Sequence, residues 1–330
     1  MTIPKTMYAL EQRSLDGPRD LCAISDAAVP VPGPGQILIR VAAAGVNFAD
    51  LSRARGTFFN GPRPPYLAGF EAAGEVVALG DGVSSPPVGT QVVGVGFGAF
   101  AEYAVLFAGA SVPVPTGWQP SQALGLVVNW PTALAALRPL GRLVAGETVL
   151  VHAAAGATGQ AALVAAKHYG ARVIAAASPS KHDTLRALGA DHVLDARSEH
   201  LVDDVLALTD GGGADLVLES VGGATLPASL AATRRVTGRV IVYGVAAGEA
   251  TLSNWDLVYK HQVQIVGLNI GVLSQSAPGV FGEIMGELFR LIAAGVVTPG
   301  RPTVYALTEG RVALLALEAR ATVGKLALLP

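Results

Sequence analysis

The middle of the chain alternates short apolar runs with helix-like stretches. The apolar runs predict strands at 148–152, 172–177, 192–194, 215–219, 239–243 and 264–268. Most of the intervening stretches predict helices, at 159–169, 181–188, 201–208 and 225–234. Strands that are apolar throughout and are joined by helices favour a parallel sheet covered on both faces. The pattern therefore predicts a doubly wound α/β domain.

The two ends of the chain follow other patterns. From residue 7 to about 114, apolar runs such as 36–41, 75–79 and 90–95 alternate with Gly/Pro turns, which is typical of a compact, mostly β domain. After the α/β region, 271–278 is polar and is expected to be flexible, whereas 282–294 has the pattern of a helix.

A glycine turn joins the first predicted strand of the α/β region to its first helix. Its pattern is Ala153-x-x-Gly156-x-x-Gly159, one glycine short of the usual dinucleotide fingerprint. Glycines let the backbone approach a ligand, and the first N–H groups of the helix suit a pyrophosphate. Taken alone, the pattern is equally consistent with an ordinary strand-to-helix turn.

The end of the second predicted strand carries a second signal. In dinucleotide-binding domains, an acidic residue about 20 positions after the glycine turn meets the adenosine ribose. Here the segment contains Ser178 and Lys181 and no Asp or Glu. A hydroxyl and an ammonium suit an anionic 2′-phosphate, which favours NADPH over NADH. The alternative is that Ser178 caps the next helix and Lys181 is solvated.

Composition limits the class of protein. A length of 330 residues suggests two domains, and a net charge of −2 without a basic cluster argues against nucleic acid or anionic lipid as a partner. Cys22 is the only cysteine, so an internal disulfide and a multi-cysteine zinc site are excluded, and a reduced, cytoplasmic setting is expected. No signal peptide is apparent. Prolines interrupt the uncharged segment 103–137, which therefore predicts buried strands and a domain junction, not a membrane span.

Five motifs stand in a characteristic order along the chain. They are Gly45-Val-Asn47-Phe-Ala-Asp50, Ala68-Gly-Phe-Glu71-Ala-Ala-Gly74, His152-Ala-Ala-Ala-Gly-Ala-Thr-Gly159, Leu188-Gly-Ala-Asp191 and Glu219-Ser-Val-Gly-Gly223. With them, nearly the whole chain resembles the zinc-free branch of the medium-chain dehydrogenase/reductase superfamily, in particular its quinone oxidoreductase-like and enoyl reductase-like members. Residues 177–189 are similar to the enoyl reductase modules of polyketide synthases, which use NADPH.

The resemblance implies a domain division and a metal-free site. It implies a GroES-like, mostly β catalytic domain at 1–124 and 269–330, and a Rossmann NADPH-binding domain at 125–268. In zinc-dependent relatives, the catalytic metal ligands align with Asn47, Phe70 and a position near Val128. None of these residues supplies the thiolate or imidazole that zinc favours, and the cysteine-rich structural zinc lobe is missing from the sequence.

The resemblance also implies roles for individual residues. Asn47 is expected to contact the nicotinamide region and the substrate pocket, with an Asx turn as the alternative, and Thr132 is expected near the carboxamide. The backbone of the glycine turn is expected to bind the pyrophosphate, through Gly156, Ala157, Thr158 and Gly159. Further candidate cofactor contacts, each with packing or a surface ion pair as the alternative, are Tyr243, Val245, Asn269 and Arg320.

The segment after the first motif departs from the family. Many relatives carry Arg-Gly-x-Tyr there, and this chain has Arg55-Gly-Thr-Phe58, which lacks the phenol. Tyr66 is the candidate replacement as a catalytic proton donor, and water is the alternative.

The resemblance leads to one functional hypothesis with two alternatives. We expect an NADPH-dependent, metal-free reductase that transfers hydride to a quinone or an α,β-unsaturated carbonyl compound. One alternative is a biosynthetic enoyl reductase acting on a polyketide-like intermediate, and the other is an NADPH-binding regulatory or structural protein with little turnover. The resemblance also implies that the edge strand near 264–268 pairs across a two-fold axis, and we therefore expect a homodimer.

Overall fold

A computed structural model describes residues 3–330, which form two compact units. The first unit contains the described residues up to Val127 together with Pro299–Pro330, and the second is Val128–Thr298. Residues 1 and 2, the start of the segment expected to lack a signal peptide, lie outside the described part.

Strands and helices follow the chain in this order. The strands are β1 (Thr6–Gln12), β2 (Leu21–Ala28), β3 (Gln36–Val46), β4 (Tyr66–Leu67), β5 (Glu71–Leu79), β6 (Gln91–Phe97), β7 (Tyr103–Pro113), β8 (Thr148–Val151), β9 (Arg172–Ala177), β10 (His192–Asp195), β11 (Leu216–Glu219), β12 (Arg239–Val242), β13 (Gln264–Gly267), β14 (Thr303–Ala306) and β15 (Leu326–Leu329). The helices are α1 (Phe48–Ala54), α2 (Asn129–Leu137), α3 (Ala157–His168), α4 (His182–Ala187), α5 (Leu201–Leu208), α6 (Thr225–Ala231), α7 (Ile270–Ser276), α8 (Pro278–Ala293) and α9 (Gly310–Glu318).

The first unit is built on antiparallel strands. Its six-stranded sheet has the order β14-β15-β3-β5-β6-β7, and β3 also pairs with β7, so that β3, β5, β6 and β7 close into a barrel. A three-stranded sheet, β2-β1-β4, lies beside it in the same unit. The core is apolar and includes Ile37, Ile39, Phe100, Leu106 and Leu328. This is the mostly β domain that the sequence predicts.

The second unit is a doubly wound α/β domain. Its six parallel strands have the order β10-β9-β8-β11-β12-β13. The strand order reverses between β8 and β11, and in such sheets ligands bind at this switch point, beyond the carboxyl ends of the strands. Every residue of β8 and of β11 is buried, as the continuous apolar runs predicted. The predicted fold class is confirmed.

The C-terminal end of the second unit differs from the sequence-based expectation. Residues 271–278, expected to be flexible, belong largely to α7, because Asn269 caps this helix by accepting hydrogen bonds at Oδ1 from the N–H groups of Gly271 and Val272. Helix α8 packs against α2, and the Tyr169 hydroxyl donates to Glu287 on α8 at 2.9 Å. These contacts place 269–298 with the second unit, whereas the sequence-based division assigned this segment to the first.

Candidate active site

The glycine turn after β8 has the geometry of a phosphate-binding loop. Ala153 adopts a left-handed conformation (φ 48°), and Gly156 is the N-cap residue of α3. A Cβ on Gly159 would lie 2.5 Å from the Ala153 carbonyl oxygen and 2.6 Å from the Ala154 Cα, so only glycine lets the helix approach the turn this closely. No side chain in the described part of the chain caps α3, and its first turn holds no acidic residue. The start of α3 therefore fits an anionic group.

Helix α2 contributes polar groups beside this turn. Asn129 Nδ2 donates a hydrogen bond to Thr158 Oγ1 at 3.0 Å, which ties α2 to the first turn of α3. The Thr132 hydroxyl donates to the Val128 carbonyl at 2.6 Å, so its hydrogen is engaged by its own helix. Thr132 and Thr158 are site residues predicted from the sequence, whereas Asn129 is not, although its position in an otherwise apolar stretch is a signal.

Ser178 and Lys181 lie at the carboxyl end of β9, as predicted. Ser178 precedes a single 3₁₀ turn, Pro179–Lys181, and Lys181 is its last residue. The Lys181 N–H donates to the Ser178 carbonyl at 2.9 Å. Both residues are half-buried, and the Ser178 side chain caps neither this turn nor any other described helix. The capping alternative for Ser178 is thus unsupported, and contact with a 2′-phosphate stays a prediction.

The remaining cofactor candidates are more scattered. Tyr243 follows β12, and burial raises its pKa to about 12, whereas Val245 is exposed. Asn269 is exposed and its side-chain oxygen serves as the cap of α7. Arg320 is exposed in the turn after α9, with a left-handed backbone (φ 55°). The structure gives Asn269 a local structural role and leaves the cofactor contacts of all four residues as predictions.

A buried carboxylate shapes the loop after β11, next to the switch point. Glu219 is fully buried and accepts hydrogen bonds from the N–H groups of Val221 at 2.8 Å and Gly222 at 3.0 Å. Burial raises the pKa of Glu219, and these two hydrogen bonds oppose that rise. The Glu219 side chain therefore stabilises the loop that contains Gly222 and Gly223, both of which have positive φ. In the sequence, Glu219 is part of a quoted motif without an assigned role.

In the first unit, three polar side chains form a closed network. Asn47 follows β3, Glu71 begins β5 and Lys325 precedes β15. Lys325 Nζ lies 2.7 Å from Asn47 Oδ1 and 2.5 Å from Glu71 Oε2, and Asn47 Nδ2 donates to Glu71 Oε2 at 2.8 Å. The Glu71 side chain is fully buried and that of Lys325 is 10% exposed. We call this set the Asn47–Glu71–Lys325 network.

The surroundings of the network fix the Asn47 side chain in one orientation. Its amide nitrogen faces a carboxylate and its oxygen faces an ammonium, so a flipped amide would meet two repulsive contacts. Glu71 Oε1 also accepts from the Gly125 N–H at 2.5 Å. A Cβ on Gly45 would lie 2.5 Å from Glu71 Oε2, which explains the glycine there. Of these three residues, only Asn47 is predicted from the sequence as a site residue; Glu71 is part of a quoted motif without an assigned role, and Lys325 is not predicted.

A second polar group lies along α1. Asp50 Oδ2 accepts from the Asn47 N–H at 2.8 Å, and burial raises the pKa of Asp50 to about 7. Burial, assisted by the negative charge of Asp50, raises the pKa of Tyr66 to about 12. The Arg53 guanidinium carbon lies 4.9 Å from the Phe58 ring centroid and 4.5 Å from that of Phe70. Tyr66, the predicted proton donor, therefore lies near two charged groups, and its catalytic role stays a prediction.

The donor set of the first unit does not fit a zinc ion. Asn47 and Phe70 offer neither thiolate nor imidazole, and the Lys325 ammonium occupies the space between the Asn47 and Glu71 oxygens. Among residues 3–330, no cluster of three His, Cys, Asp or Glu side chains has a metal-binding arrangement. None of the helices described for these residues combines the length and apolarity that a membrane crossing requires.

Two family models match the chain. The model described as "Alcohol dehydrogenase GroES-like domain" matches residues 33–116, within the first unit. The model described as "Zinc-binding dehydrogenase" matches residues 157–285, within the second.

Individual relatives agree with these models. A mycocerosic acid synthase-like polyketide synthase from Mycobacterium tuberculosis is 35% identical over 318 residues, and the match covers 94% of this chain but only 15% of that much longer protein. A quinone oxidoreductase-like protein 2 homolog from Nematostella vectensis is 34% identical over 266 residues, which are 80% of this chain and 73% of the relative. The crystal structure of Escherichia coli quinone oxidoreductase complexed with NADPH has a TM-score of 0.89 at 29% identity and covers 98% of this chain and 100% of its own. This chain belongs to the medium-chain dehydrogenase/reductase superfamily.

Proposed function

We propose that this protein is an NADPH-dependent reductase that transfers hydride to a quinone or an α,β-unsaturated carbonyl acceptor without a metal ion. The observation that carries the proposal is the Asn47–Glu71–Lys325 network, because an ammonium there holds the oxygens that a metal site would need. Without a Lewis acid, the acceptor must spread its own developing negative charge, as a conjugated carbonyl or a quinone does.

The second unit supplies the proposed cofactor site. The backbone of Gly156, Ala157, Thr158 and Gly159 binds the pyrophosphate, and Ser178 and Lys181 bind the 2′-phosphate. Thr132 lies near the carboxamide, and Tyr243, Val245, Asn269 and Arg320 are further contacts. When bound, NADPH supplies the hydride. The NADPH in the Escherichia coli quinone oxidoreductase structure supports this choice of cofactor.

The first unit supplies the proposed acceptor site. The network presents Asn47 to the reacting groups in one fixed orientation, which lowers the cost of ordering it during the reaction. With its pKa raised to about 12, the Tyr66 phenol stays protonated at neutral pH. It donates a proton to the carbon next to the carbonyl group of an unsaturated carbonyl acceptor, or to an oxygen of a quinone, with water as the alternative donor. Asp50 lies close enough to influence the phenol electrostatically.

The test is consumption of NADPH, followed at its nicotinamide absorbance band, with a panel of quinones, enones and enoyl thioesters. We expect turnover with at least one class, with NADPH preferred over NADH, and an unchanged rate after treatment with a chelator. Tight NADPH binding without turnover of any acceptor would support the binding-protein alternative. Loss of activity on chelation, restored by zinc, would contradict the metal-free mechanism.

A second candidate function is a biosynthetic enoyl reductase. It is favoured by the 35% identity to a polyketide synthase, which extends over 94% of this chain. Rapid reduction of enoyl thioesters with poor reduction of quinones would select this function, and the opposite preference would reject it.

A further inference from the structure

Arg53 is a half-buried arginine whose guanidinium has no hydrogen-bonded acceptor in the first unit. Its Nε atom is buried without a hydrogen-bond acceptor. No oxygen in the described residues of this unit, 3–127 and 299–330, accepts a hydrogen bond from its guanidinium, which instead lies over the Phe58 and Phe70 rings. Leaving buried charged donors unpaired is costly, so the surroundings of Arg53 are suited to a ligand that supplies the acceptor.

The neighbouring arginine, Arg55, does have an acceptor for its guanidinium, so the missing acceptor is particular to Arg53. Arg55, two residues further on, lies 2.7 Å from the Glu318 carboxylate and is paired. Asp50, one helical turn before Arg53, is close enough for a Coulombic attraction but accepts no hydrogen bond from the guanidinium, because one of its oxygens accepts from the Asn47 backbone and the other, Oδ1, is buried without a hydrogen-bond partner. The shared surroundings of Asp50 and Arg53 thus contain two unsatisfied buried polar atoms.

The position of Arg53 relates it to the proposed acceptor site. Its helix begins directly after Asn47, and Phe70, which its guanidinium contacts, directly precedes Glu71. The two phenyl rings hold the guanidinium by cation–π contact and offer flat apolar surfaces for a planar conjugated molecule. A guanidinium presents its N–H donors as a rigid fork that matches a carboxylate.

We infer that Arg53 binds a carboxylate of the acceptor, so that the preferred substrates are planar conjugated carbonyl compounds that carry a carboxylate group. This inference rests on the proposed reductase function. It assigns Arg53 to substrate recognition and leaves the hydride and proton transfers unchanged.

The test compares two matched acceptors, a neutral aryl enone and the same enone with a carboxylate on its aryl ring. With wild-type protein we expect a lower KM for the carboxylate form. Arg53→Met should lower kcat/KM for that form by about 10- to 100-fold while changing the neutral form by less than about 3-fold. Arg53→Lys keeps the positive charge but loses the forked arrangement of N–H donors, so its kcat/KM for the carboxylate form should lie between those of wild type and Arg53→Met. Arg55→Met is the control, because that arginine is already paired.

A second measurement separates this inference from the proposed function. Calorimetric titration of the cofactor-free protein with the carboxylate enone reports binding without turnover, and Arg53→Met should weaken it. If wild type reduces neither enone and no other acceptor, the proposed function fails, whereas binding that depends on Arg53 would still support the anion site. Equal KM values for the two enones, or a loss of NADPH affinity without a loss of carboxylate preference in Arg53→Met, would overturn the inference.

Discussion

At the scale of single residues, the site of the first unit depends on a buried charge pair. Lys325 and Glu71 lie 254 residues apart in sequence and meet because β15 pairs with β3, which in turn pairs with β5. Removing one member of a buried pair leaves the other without compensation, which costs far more than the net value of the pair itself. The network therefore couples the stability of the first unit to the placement of Asn47.

We predict that Lys325→Met lowers the free energy of unfolding by about 3–5 kcal/mol, because it leaves the Glu71 carboxylate buried without its cation. The double variant Lys325→Met with Glu71→Gln should recover much of this loss, since no unpaired charge remains. Urea unfolding measures both. Arg55→Met, which breaks a more exposed pair, should cost at most about 1 kcal/mol. A Lys325→Met protein as stable as wild type would contradict the buried-pair interpretation.

His152 links the second unit to pH. It follows β8, is 1% exposed and shares a hydrogen bond with Ser229 Oγ at 3.0 Å. Burial lowers the pKa of His152 to about 4, below its usual 6.5. As the pH falls, His152 is protonated in the unfolded chain near pH 6.5 but in the folded protein only near pH 4. The contribution of neutral His152 to the unfolding free energy is therefore complete above about pH 6.5 and is lost as the pH falls toward 4.

We therefore predict that lowering the pH from 8 to 5 costs wild type about 2 kcal/mol more unfolding free energy than it costs His152→Gln. Urea unfolding at the two pH values measures the difference. His200, which is exposed, supplies the control His200→Gln, and this variant should follow wild type. An equal pH dependence in wild type and His152→Gln would show that the buried imidazole is not the source.

At the scale of elements, the sequence predicted what depends on local burial and missed what depends on distant pairing. The strands of the α/β unit were found because each is a continuous apolar run, and the glycine turn because strand and helix patterns meet there. The sequence does not predict the cap at Asn269, because Asn serves turns, caps and ligands alike, and the cofactor contact of this residue stays a prediction. Lys325 and Glu71 could not be paired from sequence, since neither residue signals which strand its own strand will join.

The glycine turn gives a prediction at this scale. Gly159→Ala should lower the unfolding free energy by about 1–3 kcal/mol, because the new Cβ would overlap the Ala153 carbonyl and force α3 away from the turn. The control is Gly282→Ala in α8, where a Cβ meets open space and should stabilise the helix by up to about 1 kcal/mol. If NADPH binds at the turn as proposed, Gly159→Ala should also weaken NADPH binding in a fluorescence titration. Unchanged stability in Gly159→Ala would contradict the close approach of α3.

At the scale of the whole molecule, the second unit has an edge that favours association. Strand β13 is the last strand of its sheet, and unpaired strand edges favour pairing with another chain. The segment leading into β13 exposes Trp255 and Tyr259, each of which is 65% exposed. Their ring centroids lie 4.5 Å apart. An exposed apolar surface beside an open edge is typical of a contact between copies.

We predict that the protein sediments as a dimer and that replacing both rings, in Trp255→Asp with Tyr259→Asp, shifts it to a monomer. The introduced charges would have to be buried without partners in the contact, which is strongly unfavourable. Sedimentation velocity measures the change. Phe59→Asp is the matched control, because Phe59 is 86% exposed and belongs to the first unit, whereas β13 is a strand of the second, and its replacement should leave the dimer intact. A wild-type monomer, or a dimer unaffected by the double replacement, would contradict association through this edge.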